Sequence, residues 1–166
     1  MKPVLTASEW YELPPDFEAV VPTDWIDQMG HMNVMWYTHL FSQGLFGFFQ
    51  KIGMTKSYFE NEHSGSFMLE QHIRYWSEVR LGERVSIRLR MIARNEKRLH
   101  LLGLLIKEDL QVLASTMECI TSHIDLSLRR SSPFPPKIAK SIDDLMAHHQ
   151  NLSWPAPTNG VISITK

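Results

Sequence analysis

"DQMGHMNVMWYTHLFSQGLFGFFQK", residues 27–51, sets a polar cluster directly in front of an apolar run. From Val34 to Lys51, Met35, Leu40, Phe41, Leu45, Phe48 and Phe49 recur near helical spacing on a broad stripe. That pattern predicts a long, largely buried helix over 34–51. Gly44 and Gly47 lower its intrinsic propensity, and in a packed helix such glycines allow close approach to a sheet. Gly53 stands at a C′-like stop.

Around this helix the chain reads as strands. "FEAVVPTDW" (17–25) is short and β-rich. "SFMLEQHIRYWSEV" (66–79), "ERVSIRLRMIARN" (83–95), "KRLHLLGLLIKED" (97–109) and "QVLASTMECITSHID" (111–125) are four further β-like runs. The segments between them are short enough for antiparallel hairpins. Val85, Ile87, Leu89 and Met91 alternate with Ser86, Arg88 and Arg90, which reads as a half-buried strand. "LHLLGLLI" is apolar on both faces and belongs at the sheet centre or against a partner. One strand, a long helix and four antiparallel strands make an α+β fold, a curved five-stranded antiparallel sheet wrapped around a long central helix. The expected divisions are an N-terminal arm at 1–16 closed by Pro14–Pro15, a main domain at 17–130, and a Pro-rich C-terminal segment at 131–166. In that last segment Ser141 and Asp144 resemble a capping box. Ile142, Leu145, Met146 and His149 then share one face of a short helix, and the tail after Asn151 reads as loose.

Composition narrows the class of protein. The 166 residues suffice for one domain with a sizeable core, and 43% hydrophobic content argues against disorder. A formal net charge of -1 and a pI near 6.7 give no footprint for nucleic-acid binding. The lone cysteine, Cys119, allows no internal disulfide, which favours a reducing compartment. No stretch reads as a secretory signal or a membrane span, so the expectation is a cytoplasmic protein without membrane or nucleic-acid partners.

The polar cluster is where chemistry is expected. Asn33 is a candidate N-cap for the helix, leaving N–H groups near Val34 at the positive end of its dipole. A carbonyl oxygen placed there would be polarised, and an oxyanion forming on it stabilised. Gly30 permits a tight turn and close approach of a ligand. Asp27, just before the turn, is placed either to attack a carbonyl or to activate water against it. His31 is placed to hold the substrate or Asp27, or simply to cap the turn. Trp25, Trp36, Tyr37, Tyr75 and Trp76 could form an aromatic cage for a cation, with Glu70 adding negative charge; they equally suit core packing. Arg88, Lys97 and Arg98 are weaker candidates for contacts to phosphates. His72, His100 and His123 fall on separate strands and match no metal-binding spacing. No G-x-S-x-G elbow surrounds a serine, and there is no glycine-rich phosphate loop.

"D27-x-x-G30-H31-M32-N33" followed by Tyr37 resembles the signature of the acyl-CoA thioesterases of the hot-dog fold, the 4-hydroxybenzoyl-CoA thioesterase-like superfamily. The element order resembles that fold over about 17–125. The resemblance implies that Asp27 is the catalytic carboxylate and that the backbone N–H near Val34 is the oxyanion donor. It also implies an active site between two subunits, in a homodimer or dimer of dimers, and no cofactor beyond the coenzyme A of the substrate. "DWIDQMGHMN", "EQHIRYWSEVRLGE", "NEKRLHLL" and "CITSHID" are similar more narrowly to the thioesterases that accompany, or are fused to, carnitine dehydrogenases. That likeness implies hydrolysis of betainyl-CoA and carnitine dehydrogenase as a functional partner. Two alternatives share the fold: an acyl-thioester dehydratase, for which His39 is the one histidine on the long helix, and an acyl-CoA-binding module without turnover.

Overall fold

The computed structural model describes residues 5–164; residues 1–4 of the expected arm and 165–166 of the expected tail lie outside them. The elements in chain order are α1 (Ala7–Trp10), β1 (Phe17–Val20), a 3₁₀ turn (Thr23–Trp25), α2 (Val34–Lys51), α3 (Lys56–Asn61), β2 (Ser64–Tyr75), β3 (Arg84–Arg94), β4 (Arg98–Lys107), β5 (Val112–Asp125), β6 (Arg130–Ser131) and α4 (Pro136–Gln150). The hydrogen-bonded strand order is β1-β3-β4-β5-β2, with the two-residue β6 added on β5. β4 therefore has a strand on each side, and its burial along nearly its whole length agrees with the apolar reading of both its faces.

Contacts divide the chain into two compact units. The first comprises Met1–Gly47, Ile73–Leu89 and Gly103–Met117; the second comprises Phe48–His72, Arg90–Leu102 and Glu118–Lys166. In the first, α2 lies directly against the sheet. A Cβ on Gly44 would fall 2.2 Å from Ile87 Cγ2, and one on Gly103 of β4 would fall 3.0 Å from the Phe41 ring. Leu40 and Phe41 are fully buried there, each contributing roughly 1.5–3 kcal/mol of transfer free energy. Leu5, Trp10 and Leu13 of the N-terminal arm are buried in the same unit.

The arm also overturns the reading of β3. Ser86 and Arg88, assigned to a solvated face, are buried. The Arg88 guanidinium donates to the Leu13 carbonyl, pairs with Glu108 at 3.0 Å and stacks 4.7 Å from the Tyr11 ring centre. Its charge is thus neutralised inside the unit, and Arg88 is not free to meet a phosphate.

The second unit corrects the C-terminal reading. α4 starts at Pro136, five residues before Ser141, whose hydroxyl instead bonds back to the Lys137 carbonyl at 3.2 Å. Proline at N1 has no N–H to lose there and its fixed φ suits the first turn. Ile138, Ile142, Met146 and His149 form the buried face. The tail is packed: Trp154 is 2% exposed, Arg90 stacks 4.3 Å from its ring centre, and Asn159 donates its backbone N–H to buried Glu118.

Candidate active site

The polar cluster folds into a tight turn in the first unit. Asp27 N–H donates to the His31 carbonyl and Gly30 N–H to the Asp27 carbonyl, both at 3.0 Å, and Ile26 and Met32 bridge behind them. Gly30 has φ +82°, a left-handed conformation that glycine adopts without strain. The Asp27 side chain closes the turn, its Oδ1 accepting the Met29 N–H at 2.8 Å. Its Oδ2 lies 3.5 Å from His31 Nδ1, with 17% of the Asp27 side chain exposed.

Two bonds fix this turn in its surroundings. Met32 donates to the Val79 carbonyl at 2.7 Å, and Asn33 donates to the Trp25 carbonyl at 2.8 Å. Asn33 then caps α2: its Oδ1 accepts the Met35 N–H at 3.1 Å and its carbonyl the Trp36 N–H at 3.0 Å. Among the described residues, no acceptor meets the Val34 N–H. The helix thus opens with one free donor at its positive end.

That donor and the carboxylate border the same cleft of about 510 Å³. One wall is the turn, with Asp27, Met29, His31, Asn33 and Val34; the other is Tyr75, Trp76, Ser77 and Glu78, with Tyr37 and Met32 also lining it. The second wall is held to β5 by the N–H groups of Trp76 and Ser77, which both reach the Ala114 carbonyl, at 2.8 and 3.2 Å. Trp76 Nε1 also meets Thr116 Oγ1 at 3.3 Å. Tyr37 and Tyr75 meet edge to face, ring centres 5.0 Å apart. Burial pushes the Tyr37 phenol up to about 12, so it stays neutral. Arg80, donating to the Glu78 carboxylate, holds that group below the usual carboxylate range.

The structure brings together Asp27, His31, Asn33, Val34, Tyr37, Tyr75 and Trp76 from the sequence candidates. Gly30 shapes the turn, but its N–H is committed to Asp27 and is not free for an oxyanion. Trp25 stacks on Trp36 at 4.7 Å with His39 against both rings, a cluster that does not line the cleft. Glu70 is exposed on β2 in the other unit, outside the cleft lining. Lys97 and Arg98 also belong to that unit, at the β3–β4 hairpin, where Lys97 pairs with Glu96 at 3.4 Å. Sequence reasoning missed Ser77 and Glu78. They follow β2 without a chemical signature of their own, and backbone bonds distant in sequence, to Ala114 and from Met32 to Val79, put this segment opposite the turn.

Chemically, a carbonyl oxygen at the Val34 N–H would meet an unsatisfied donor aligned with the helix dipole, with a carboxylate on the same wall. Among the described residues, no group of three or more His, Cys, Asp or Glu is placed to hold a metal ion.

Comparison with known proteins supplies the context for this geometry. The L-carnitine dehydrogenase/betainyl-CoA thioesterase of Agrobacterium fabrum is 30% identical over 133 residues, 80% of this chain. The chain spans only 27% of that fused protein's length. The betainyl-CoA thioesterase of Pseudomonas aeruginosa is 26% identical over 89% of this chain and 93% of its own length. A Staphylococcus aureus protein solved in complex with CoA superposes with a TM-score of 0.80 at 32% identity, covering 89% of this chain and 93% of that one. The hot-dog fold implied by the element order is thereby established. A family model of the thioesterase-like superfamily matches residues 21–142, a span that takes in both walls of the cleft, and the chain belongs to that superfamily.

Proposed function

We propose that this chain is an acyl-CoA thioesterase that hydrolyses a short acyl-CoA, betainyl-CoA, to free acid and CoA. The observation that carries the reading is the pairing of one carboxylate and one free helix N–H on a single cleft, within the matched family region. The thioester oxygen rests at the Val34 N–H. Asp27 then either takes a proton from water as the water attacks the carbonyl carbon, or attacks that carbon itself to form an anhydride that water opens. In both routes a C–O bond forms, the C–S bond breaks and CoA departs as the thiolate, so no strong general acid is needed. His31, 3.5 Å from Asp27, orients the carboxylate. The reaction asks for no cofactor beyond the CoA of its substrate.

The acyl group is assigned from the relatives' names and the cleft's chemistry together. Tyr37, Tyr75 and Trp76 offer aromatic faces to a trimethylammonium, each worth roughly 0.5–2 kcal/mol according to its desolvation. A dehydratase has less support, because His39 packs against Trp25 and Trp36 and does not line the cleft. The test is release of free thiol from a panel of acyl-CoAs, with betainyl-CoA expected to be turned over fastest. Tight binding without thiol release would make the chain a binding module, and an enoyl thioester product a dehydratase.

We also propose self-association through the β2 edge. β2 ends the strand order, runs for 12 residues, and exposes Phe67, Met68 and Leu69. An open edge of this length carrying apolar side chains favours pairing with a second copy. Light scattering should give a mass of two or four chains; a monomer at micromolar concentration would refute it. The fusion of relatives to a dehydrogenase supports carnitine dehydrogenase as a functional partner. Use of a CoA substrate and a lone, buried Cys119 support a cytoplasmic setting.

A further inference from the structure

Glu78 faces the cleft that the thioesterase reading assigns to the acyl group, yet no step of hydrolysis uses it. Its backbone is fixed from two sides, while its side chain is 48% exposed and paired with Arg80. Lys107 Nζ donates to the Glu78 backbone carbonyl at 3.0 Å, and Val79 next to it accepts the Met32 N–H at 2.7 Å. Arg80 Nε donates to Glu78 Oε1 at 2.9 Å, and Arg80 Nη2 reaches the same oxygen. Both Arg80 donors thus fall on one oxygen, and no donor to Oε2 is recorded among the described residues. Arg80 itself does not line the cleft.

The residues that line the cleft include two carboxylates, Asp27 and Glu78, and neither lysine nor arginine. Such a wall repels an anionic acyl group and favours a cationic one. Aromatic faces alone would also accept a neutral tert-alkyl group of the same shape, by burial of apolar surface. Discrimination between these two needs a charge.

We propose that Glu78 is a specificity-determining residue, supplying the counter-charge that selects an acyl group bearing a quaternary ammonium over its uncharged isostere. This rests on the thioesterase reading above. The carboxylate acts across the aromatic pocket formed by Tyr37, Tyr75 and Trp76. Arg80, paired with it at the solvent side, tempers it by offsetting part of its field.

The experiment compares betainyl-CoA with 3,3-dimethylbutyryl-CoA, in which carbon replaces the ammonium nitrogen at nearly unchanged shape. Thiol release gives kcat/KM for each substrate with the wild-type full chain, Glu78→Gln and Arg80→Gln. The expected result is that the ratio of cation to isostere falls about fivefold in Glu78→Gln, the size of a solvent-screened charge contact, and does not fall in Arg80→Gln. An unchanged ratio in Glu78→Gln, or an equal fall in both variants, would overturn the proposal, since the residue would then act by shape and not by charge. Failure of the wild type to release thiol from either substrate would instead refute the thioesterase reading, and this inference with it.

Discussion

Two polar clusters in this molecule differ in how fully their hydrogen-bonding capacity is used. In the second unit Glu118 is 3% exposed, with Oε1 2.8 Å from His100 Nε2 and Oε2 accepting the Asn159 N–H at 2.5 Å. Asn159 in turn accepts the N–H groups of Val161 and Ile162 through Oδ1, at 2.7 and 3.0 Å. Each Glu118 oxygen has a protein partner, so the group ties β4, β5 and the tail together. In the first unit the Asp27 carboxylate has one backbone donor and a histidine at 3.5 Å, beside a helix N–H with no acceptor among the described residues. The contrast separates polar groups that hold a fold from polar groups with capacity left over. A buried network completed by protein partners gains nothing from a ligand. An incomplete one on a cleft wall is completed by the ligand.

Breaking the saturated cluster should cost the most stability. Glu118→Ala strands His100 and the Asn159 N–H, and should lower unfolding free energy by about 3 kcal/mol in urea titrations. The cleft residues all lie in the other unit, so kcat of the remaining folded protein should stay within twofold. A large loss of kcat with unchanged stability would reverse the assignment of the two clusters.

The second unit also contains a proton-sensitive member of its saturated set. His149 Nδ1 accepts the Met91 N–H at 2.8 Å, which requires the neutral imidazole. Burial first, then the charges of His148, Arg90 and Lys51, lower its pKa from 6.5 to about 4. The unfolded chain therefore binds this proton more readily than the folded one. The stability it secures is complete above pH 6.5 and is lost as pH falls towards 4, by about 2 kcal/mol once solvent screening is allowed for. Thermal melts across that window should fall more steeply for the wild type than for His149→Gln; parallel curves would contradict the neutral assignment.

The smallest effect on stability is expected in the unsaturated cluster itself. Asn33→Ala removes the cap of α2 and should cost about 1 kcal/mol, while Asn33→Asp should retain most of it. Because the first helical turn also presents the Val34 N–H, Asn33→Ala should lower kcat by more than its stability loss suggests. Equal kcat in the two variants would separate the cap from the chemistry.

Legibility in the sequence followed the same division. The bounds of α2 were readable, because its apolar stripe, the Asn33 cap and Gly53 at φ +87° are all local signals. Met35, counted on the buried stripe, is however 60% exposed, since the first turn fronts the cleft and not the core. The Asp27–Val34 turn was readable for the same reason, as it is contiguous. The opposite wall was readable only in its aromatic residues Tyr75 and Trp76, since Ser77 and Glu78 gain their place through contacts distant in sequence, the Ala114 carbonyl on one side and the Met32 N–H to Val79 on the other. Arg88 was misread because alternation marks one face of β3 as outward, whereas the N-terminal arm covers that face with Leu13 and Tyr11. Trp154 was missed in a Pro-broken tail without periodicity, where long-range stacking on Arg90 and not local pattern decides burial. α3, six residues capped by Thr55, was too short to show a period.

Thiol release from betainyl-CoA by the wild type and Asp27→Asn, side by side, addresses the carboxylate most directly. Asparagine keeps the side-chain oxygen that accepts the Met29 N–H, so the two proteins should melt within about 2 °C of one another. A loss of kcat of roughly a thousandfold or more is the expected result, the scale on which enzymes depend on a single catalytic group. Turnover within threefold of the wild type would contradict the account.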